Sequence, residues 1–344
     1  MMPSGELDIR PYTAADDAEA LALDRACMQG TAYRLSFERP TFRRRAENFD
    51  DWAIFAGWLR GRIVALAGIA TKPATLFGVP TTVAFGFDLR VHPDFRGRGL
   101  AGRMAGVAAD WAWERSDLVY SWVAEDNRVS GAVLKRLHGR PLAAFRYLVY
   151  PTHRRLAPER EVRSASPEEV YARHVRRAGP FDLLTSPQVA TMPGHVRSWT
   201  VRAGGELAAC SAWDNSGILA EVVESLPRGL ALAGAAFGTW PLTRARLPRI
   251  PGPGERIRSW YLHDVVATRP ALGRDLVRHV AAEARERDID FLYIAHPPSQ
   301  AAWIQRVRKD HPRFFAPVLA YRMWGALKDD PGARLAAYVD IRDL

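Results

Sequence analysis

Two arginines and two glycines in alternation, Arg96-Gly97-Arg98-Gly99, form the part of this chain best suited to chemistry with an anion. Upstream, Val83 to Val91 is an apolar and aromatic run with no helical period, which reads as a mostly buried strand stopped by Pro93. Downstream, Ala101 to Trp113 shows helical spacing, so a helix starts on the glycines. Its first N–H groups lack partners within the helix, the positive end of its dipole faces the turn, and Arg96 and Arg98 add charge. An anion with several oxygens is the natural occupant. The spacing is neither the G-x-G-x-x-G of a dinucleotide fold nor the G-x-x-x-x-G-K-[ST] of a P-loop.

What stands here is R-x-x-G-x-A at Arg96, Gly99 and Ala101, preceded by Val91-His-Pro. It resembles the pyrophosphate loop of the GCN5-related N-acetyltransferases. A second apolar run, Leu118-Val-Tyr-Ser-Trp-Val-Ala124, reads as the next strand, and Glu125-Asp-Asn127-Arg-Val-Ser130 follows as a helix start, in the family's order. The resemblance implies that Arg96, Gly97, Arg98, Gly99, Leu100, Ala101 and Gly102 hold the pyrophosphate of acetyl-CoA. It implies that backbone N–H groups near Leu89, Arg90 and Val91 hold the acetyl carbonyl and pantetheine amides, where two parallel strands splay. Asn127 and Ser130 then lie near the pantetheine arm, although short polar side chains at a helix start also serve as ordinary caps. Two positions depart from the pattern. Leu134 stands where the family often has a tyrosine that protonates the departing thiolate, and Gly139 is followed by Arg140 rather than an aromatic residue.

Acetyl transfer to an amine needs a group that accepts the ammonium proton and a way to carry off the thiolate. Asp88 is the one acid inside the strand Val83 to Val91, and burial there raises a carboxylate pKa toward neutrality; the alternative is a buried pair with Arg90 or another arginine. Glu125, at the C-terminal end of the next strand, is the second candidate base, since crevices of open α/β sheets lie outside those ends; otherwise it is a solvated loop carboxylate. Tyr147 is the candidate acid and His138 its alternative. A tyrosine in an aromatic strand usually packs and a lone histidine at a helix end usually caps, and His92 follows the same rule. No histidine or acid has metal-ligand spacing such as H-E-x-x-H, so no metal is implied.

The elements that must position these residues fall into two domains. The chain has 344 residues, 48% hydrophobic and 25% charged, which fits an ordinary globular protein. It has no apolar run long enough for a membrane span and no basic, apolar leader at Met1 to Glu6. Cys27 and Cys210 lack a partner motif and fit a reducing cytoplasm. The net charge of +10 raises the question of nucleic acid. Only Lys72, Lys135, Lys309 and Lys328 are lysines, which points to GC-rich codon usage. The basic residues are scattered apart from Arg43 to Arg45 and His153 to Arg155, which argues against nucleic acid as a partner.

In the first domain, residues 1–155, Leu7 to Tyr12 reads as a strand, Ala14 to Met28 as a helix, and Trp52 to Trp58 with Ile63 to Thr71 as a hairpin. Leu142 to Tyr150 closes it, and His153 to Pro167 reads as a linker. The second domain, residues 156–344, repeats the order: a hairpin at Ser198 to Arg202 and Leu207 to Trp213, a strand at Arg258 to Thr268, and a helix at Ala271 to Arg287. Phe291 to Ala295, Gln300 to Lys309 and Phe315 to Trp324 follow as strand, helix and strand. Trp122 and Tyr293 fall in matching strands, which points to a diverged duplication. Its counterpart turn, Arg269-Pro-Ala-Leu-Gly273, is a poor anion nest.

The fold class implied is α/β (α+β), two tandem GNAT-like domains, each a mixed, mostly antiparallel sheet with flanking helices and a splayed parallel strand pair. Ser198-Trp199, Ser211-Ala-Trp213 and Arg146-Tyr-Leu-Val-Tyr150-Pro are similar to the plant hookless-type putative acetyltransferases; mycothiol synthase shares only the tandem architecture. The resemblance implies acetyl transfer from acetyl-CoA to a small-molecule or peptide amine, with catalysis in the first domain. The alternative is an acyl-CoA-binding or regulatory module that does no chemistry.

Overall fold

The computed structural model describes residues 7–30, 33–176, 182–185, 192–227, 229, 247–330, 332, 335–337 and 339–343. The first half runs β1 (Asp8–Pro11), α1 (Asp17–Ala26), β2 (Arg34–Glu38), β3 (Asp51–Leu59), β4 (Arg62–Leu76) and β5 (Val79–Val91). It continues through α2 (Leu100–Trp113), β6 (Leu118–Ala124), α3 (Arg128–Arg136) and β7 (Arg140–Pro151). The second half opens with β8 (Arg163–Ala165), α4 (Pro167–Val175), β9 (Asp182–Thr185), β10 (His195–Ala203), β11 (Glu206–Trp213) and β12 (Ala220–Ser225). It ends with β13 (Ser259–Ala267), α5 (Pro270–Glu286), β14 (Phe291–His296), α6 (Ala301–Arg308), β15 (Val318–Leu327) and β16 (Ala336–Ala337). No helix among the described residues is long and apolar enough to cross a membrane.

One mixed sheet carries the molecule, in the order β1-β3-β4-β5-β6-β15-β7-β14-β13-β11-β10-β8. Its local rules are ordinary. Arg60 and Gly61, both left-handed (φ 54° and 74°), make the tight β3–β4 turn that a hairpin's twist favours. Along α2, Leu100, Met104, Ala108 and Ala112 recur every fourth residue and form the buried stripe that packs on this sheet. Burial of the Leu100 and Met104 side chains contributes about 1.5–3 kcal/mol each. On the second half α5 does the same with Leu272, Leu276, Val280 and Ala284.

The two halves exchange their last strands. β15 lies antiparallel between β6 and β7, and β7 lies antiparallel between β15 and β14. Each half also has one parallel pair, β5 with β6 and β13 with β14. Each carries one bulge at the same place: Asp88 and Leu89 together face Ala67, and Asp264 and Val265 together face Cys210. Both aspartates are left-handed (φ 51° and 52°) and buried. The same stretch of chain separates Asp88 from Asp264, Phe85 from Tyr261, and Phe145 from Tyr321. Phe145 and Tyr321 pair with one another across β7 and β15, so a local two-fold passes between their stacked rings, 5.1 Å apart.

Three expectations need adjustment. The register aligns Tyr293 with Tyr120 rather than with Trp122. The stretch read as a linker contains β8, which pairs with β10. A small second sheet, β12 with β2, ties the halves together where no strand was expected.

Candidate active site

Pairing between β5 and β6 runs from Val83↔Leu118 to Phe85↔Tyr120 and then stops. β5 continues to Val91 on the edge of β4, while β6 continues to Ala124 on the edge of β15. The strands therefore part beyond Phe85, leaving Gly86 to Val91 unpaired on the β6 side. The bulge at Asp88 bends β5 at this opening.

Eight residues, 92–99, link β5 to α2. Gly97 and Gly99 are left-handed (φ 76° and 77°), a conformation that side chains with a Cβ rarely adopt. No protein atom lies within 4 Å of where a Cβ would stand at Gly97, Gly99 or Gly102, so the turn faces open space. Helical pairing resumes only at Gly102 and Arg103, whose N–H groups both donate to the Gly99 carbonyl. Leu100 packs inward, with Ala101 next to it in the first turn. Arg96 and Arg98 are exposed and braced: Arg96 Nε donates to the Val91 carbonyl (3.2 Å) and Arg98 donates to the Asp94 carbonyl (3.2 Å). The strand end and the helix start thus present to one opening an amide row, two guanidinium groups and glycine surfaces able to take phosphate oxygens.

Other expected residues are placed as follows. Asn127 is the exposed N-cap of α3, its side chain accepting from the Ser130 N–H (3.1 Å). Glu125 is exposed at the end of β6 and pairs with Arg322 (3.0 Å). His92 caps the short turn after β5, accepting from the Asp94 N–H, and His138 sits left-handed after α3.

Asp88 is corrected most clearly. Burial pushes its carboxyl up, but the guanidinium groups of Arg39, Arg90 and Arg45 outweigh this and hold it well below the usual carboxylate range. Arg39 donates to it at 2.6 Å, with Arg90 at 3.3 Å and Arg45 at 3.5 Å; Asp24 on α1 shares Arg39 and Arg90. A carboxylate held ionised among three guanidinium groups is a poor proton acceptor near neutrality, so the raised pKa anticipated for Asp88 does not occur. The arginine pair considered as its alternative is present. The Arg90 side chain is likewise committed to Asp24 and Asp88.

Tyr147 sits inside an aromatic belt on the sheet face that also carries α1. The belt starts at Trp122 on β6 and passes to Phe145 (4.5 Å), Tyr147 (4.9 Å) and Tyr261 (6.0 Å); Tyr321 and Tyr293 lie 5.7 and 6.1 Å from Tyr147. The Tyr147 hydroxyl is buried with no hydrogen-bond partner, and burial raises its pKa well above the usual phenol value. Beside the belt stands Glu221 on β12, which sequence reasoning passed over. Its carboxylate accepts a hydrogen bond from the Tyr293 hydroxyl (3.1 Å), and burial pushes its pKa up to about 7. Its strand, Ala220-Glu-Val-Val-Glu-Ser225, carries two acids, Glu221 and Glu224, so the one-acid pattern that singles out Asp88 does not single out Glu221. The rim is completed by Asp343, whose carboxylate accepts from Tyr120 (2.6 Å) and Trp122 (3.3 Å) and pairs with Lys72. Among the described residues no group of histidines, cysteines and acids is placed to hold a metal ion.

Residues 22–139, from within α1 to just past α3, match the model of the acetyltransferase (GNAT) family. No curated protein matches the chain in sequence. Among solved structures, an N-myristoyltransferase of Saccharomyces cerevisiae with bound myristoyl-CoA and inhibitors is similar at 9% identity and TM-score 0.60, covering 100% of this chain and 85% of that one. A GCN5-related N-acetyltransferase from Sphaerobacter thermophilus is similar at 13% identity and TM-score 0.53, with 98% of each chain covered. A putative acetyltransferase from Pyrococcus horikoshii is similar at 11% identity and TM-score 0.54, covering 96% of this chain and 92% of that one. At such identities the likeness is one of fold, and the fold is GNAT-like: a large mixed sheet with flanking helices.

Proposed function

We propose that this chain is an acetyl-CoA-dependent N-acetyltransferase whose donor site lies in the first half. The observation that carries the reading is the joining of an open glycine turn to a parted parallel strand pair at one strand end, β5. Residues 96–102 hold the pyrophosphate, Asn127 and Ser130 flank the pantetheine arm, and the free edge from Leu89 to Val91 binds the thioester carbonyl. Residues 1–155 then form the donor domain, and 156–344 a second copy that has lost its anion turn. The setting is cytoplasmic and the acceptor is the amine of a small molecule or peptide.

In the reaction the ammonium group first loses a proton to a protein base. The free amine attacks the thioester carbon, the new C–N bond forms as the C–S bond breaks, and the amine's second proton passes to the departing thiolate. The products are an amide, free coenzyme A and one released proton.

The test is acceptor-dependent release of free thiol. A likeness in fold to a protein that binds myristoyl-CoA makes it necessary to run the donors from acetyl-CoA to myristoyl-CoA against a panel of primary amines. Thiol release that requires both donor and amine is the expected result. Donor binding without release on any amine sinks the enzyme reading in favour of a binding module, which Leu134, half-buried in α3, already favours by lacking an acidic hydroxyl.

A further inference from the structure

We propose that the acceptor site is the tyrosine-lined enclosure on the seam between the halves, and that it takes an organic ammonium ion, a primary amine on an apolar body, which Glu221 holds and deprotonates. This rests on the acyl-transfer reading above and adds to it the chemical class of the acceptor.

The argument begins with a missing cation. The buried acids of the first half and the C-terminal segment have basic partners: Asp24 has Arg39 and Arg90, Asp88 has three arginines, Asp340 has Lys72 and Arg342, and Asp343 has Lys72. Among the described residues no arginine, lysine or histidine pairs with Glu221; its hydrogen bond comes from the neutral Tyr293 hydroxyl. A half-buried carboxylate without a counter-ion is partly desolvated at a cost, and a cation supplied from outside lowers that cost. Arg45 is committed to Asp88 and to the Asp343 carbonyl, and Arg322 to Glu125.

The walls select the same class of ligand. Tyr293 bonds this carboxylate and Tyr147, Tyr261 and Tyr321 lie close enough to feel its charge, and the faces of such rings attract ammonium groups once water is excluded. The Tyr147 hydroxyl, 94% buried by the 6% exposure of its residue and without a partner, is left to accept a second N–H of the same ammonium. Glu221, Tyr321, Trp122 and Phe37 stay half-buried, so the enclosure opens to solvent on one side.

Position connects it to the donor. Trp122 lies on β6, and Tyr321 of β15 pairs with Ala124, at the end of β6 where it has parted from β5. The belt beside Glu221 therefore reaches the strand end at which the proposed donor site opens.

The experiment uses the full chain saturated with coenzyme A and compares phenethylamine with its neutral isostere 2-phenylethanol by calorimetry at pH 8. There Glu221, with its pKa near 7, is ionised and the amine is still protonated. The amine is expected to bind at least about tenfold tighter than the alcohol, the scale of one desolvated charge contact. Glu221→Gln should erase that preference while coenzyme A affinity stays at the wild-type value, and Tyr147→Phe should weaken the amine several-fold. Equal binding of amine and alcohol, no binding of either, or a preference that survives Glu221→Gln overturns the proposal. If coenzyme A itself does not bind, the donor reading falls, and the amine preference is scored on the free protein.

Discussion

The two parallel strand pairs are built alike and end differently. Both β5 and β13 pair with one parallel neighbour, bulge at a left-handed buried aspartate and run on beyond the last pair. Past the bulge they diverge. The first half inserts residues 92–99 before its helix, with two left-handed glycines facing open space. The second inserts only residues 268 and 269 and starts α5 on Pro270, and the Cβ position of Gly273 lies 2.7 Å from the Trp303 ring. Topology alone therefore does not make an open glycine turn. A turn long enough to aim free amides outward, and empty space in front of it, make the difference.

Four substitutions test how deep that difference runs. The largest effect is expected at the bulge aspartates, which share a backbone conformation but not a charge environment. Asparagine tolerates the left-handed conformation as aspartate does, so Asp88→Asn leaves the bend and removes the charge. Three guanidinium groups around a buried position then lose their counter-charge, and the loss should be about 3–5 kcal/mol in chemical denaturation. Asp264→Asn disturbs a hydrogen bond to His263 (2.9 Å) and should cost less, about 1–3 kcal/mol. Equal losses would show that the arginine network adds nothing to the first half.

A smaller effect is expected under the second turn. Gly273→Ala drives a methyl into the Trp303 ring and should destabilise by about 1–3 kcal/mol, read by the same denaturation curve. The smallest, of opposite sign, belongs to Gly102→Ala in the first turn of α2. With no atom within 4 Å of the added Cβ, better helix propensity should stabilise by about 0.5–1 kcal/mol. A cost at Gly102 as large as at Gly273 would mean that the first turn is covered after all.

How much of this was legible depended on how local the cause is. The strand Leu118–Ala124 is seen at its expected bounds, and α2 begins one residue earlier than expected, at Leu100, because periodicity and glycines are short-range signals. The parting of β5 from β6 followed only from the resemblance. The exchange of β7 and β15 was not legible: both are apolar strands, and nothing in Arg140–Pro151 says which neighbour it takes. The same holds for the pairing of β2 with β12, which joins segments far apart in the chain. Asp88 stands out as an acid in an apolar strand, but its ion-pair partners are not legible, because Arg39 and Arg45 lie in a stretch with no periodic signal. Glu221 shares its strand with Glu224, and nothing in the sequence places β12 beside the tyrosines.

The central claim is that donor binding belongs to the first half alone. It is tested most directly by calorimetric titration of coenzyme A into the wild-type chain and into Gly99→Asp, which adds bulk and negative charge to a left-handed position at the start of α2. One molecule per wild-type chain, and no measurable binding by a folded Gly99→Asp protein, is the predicted result. Two molecules per chain, or binding retained in the variant, would contradict it.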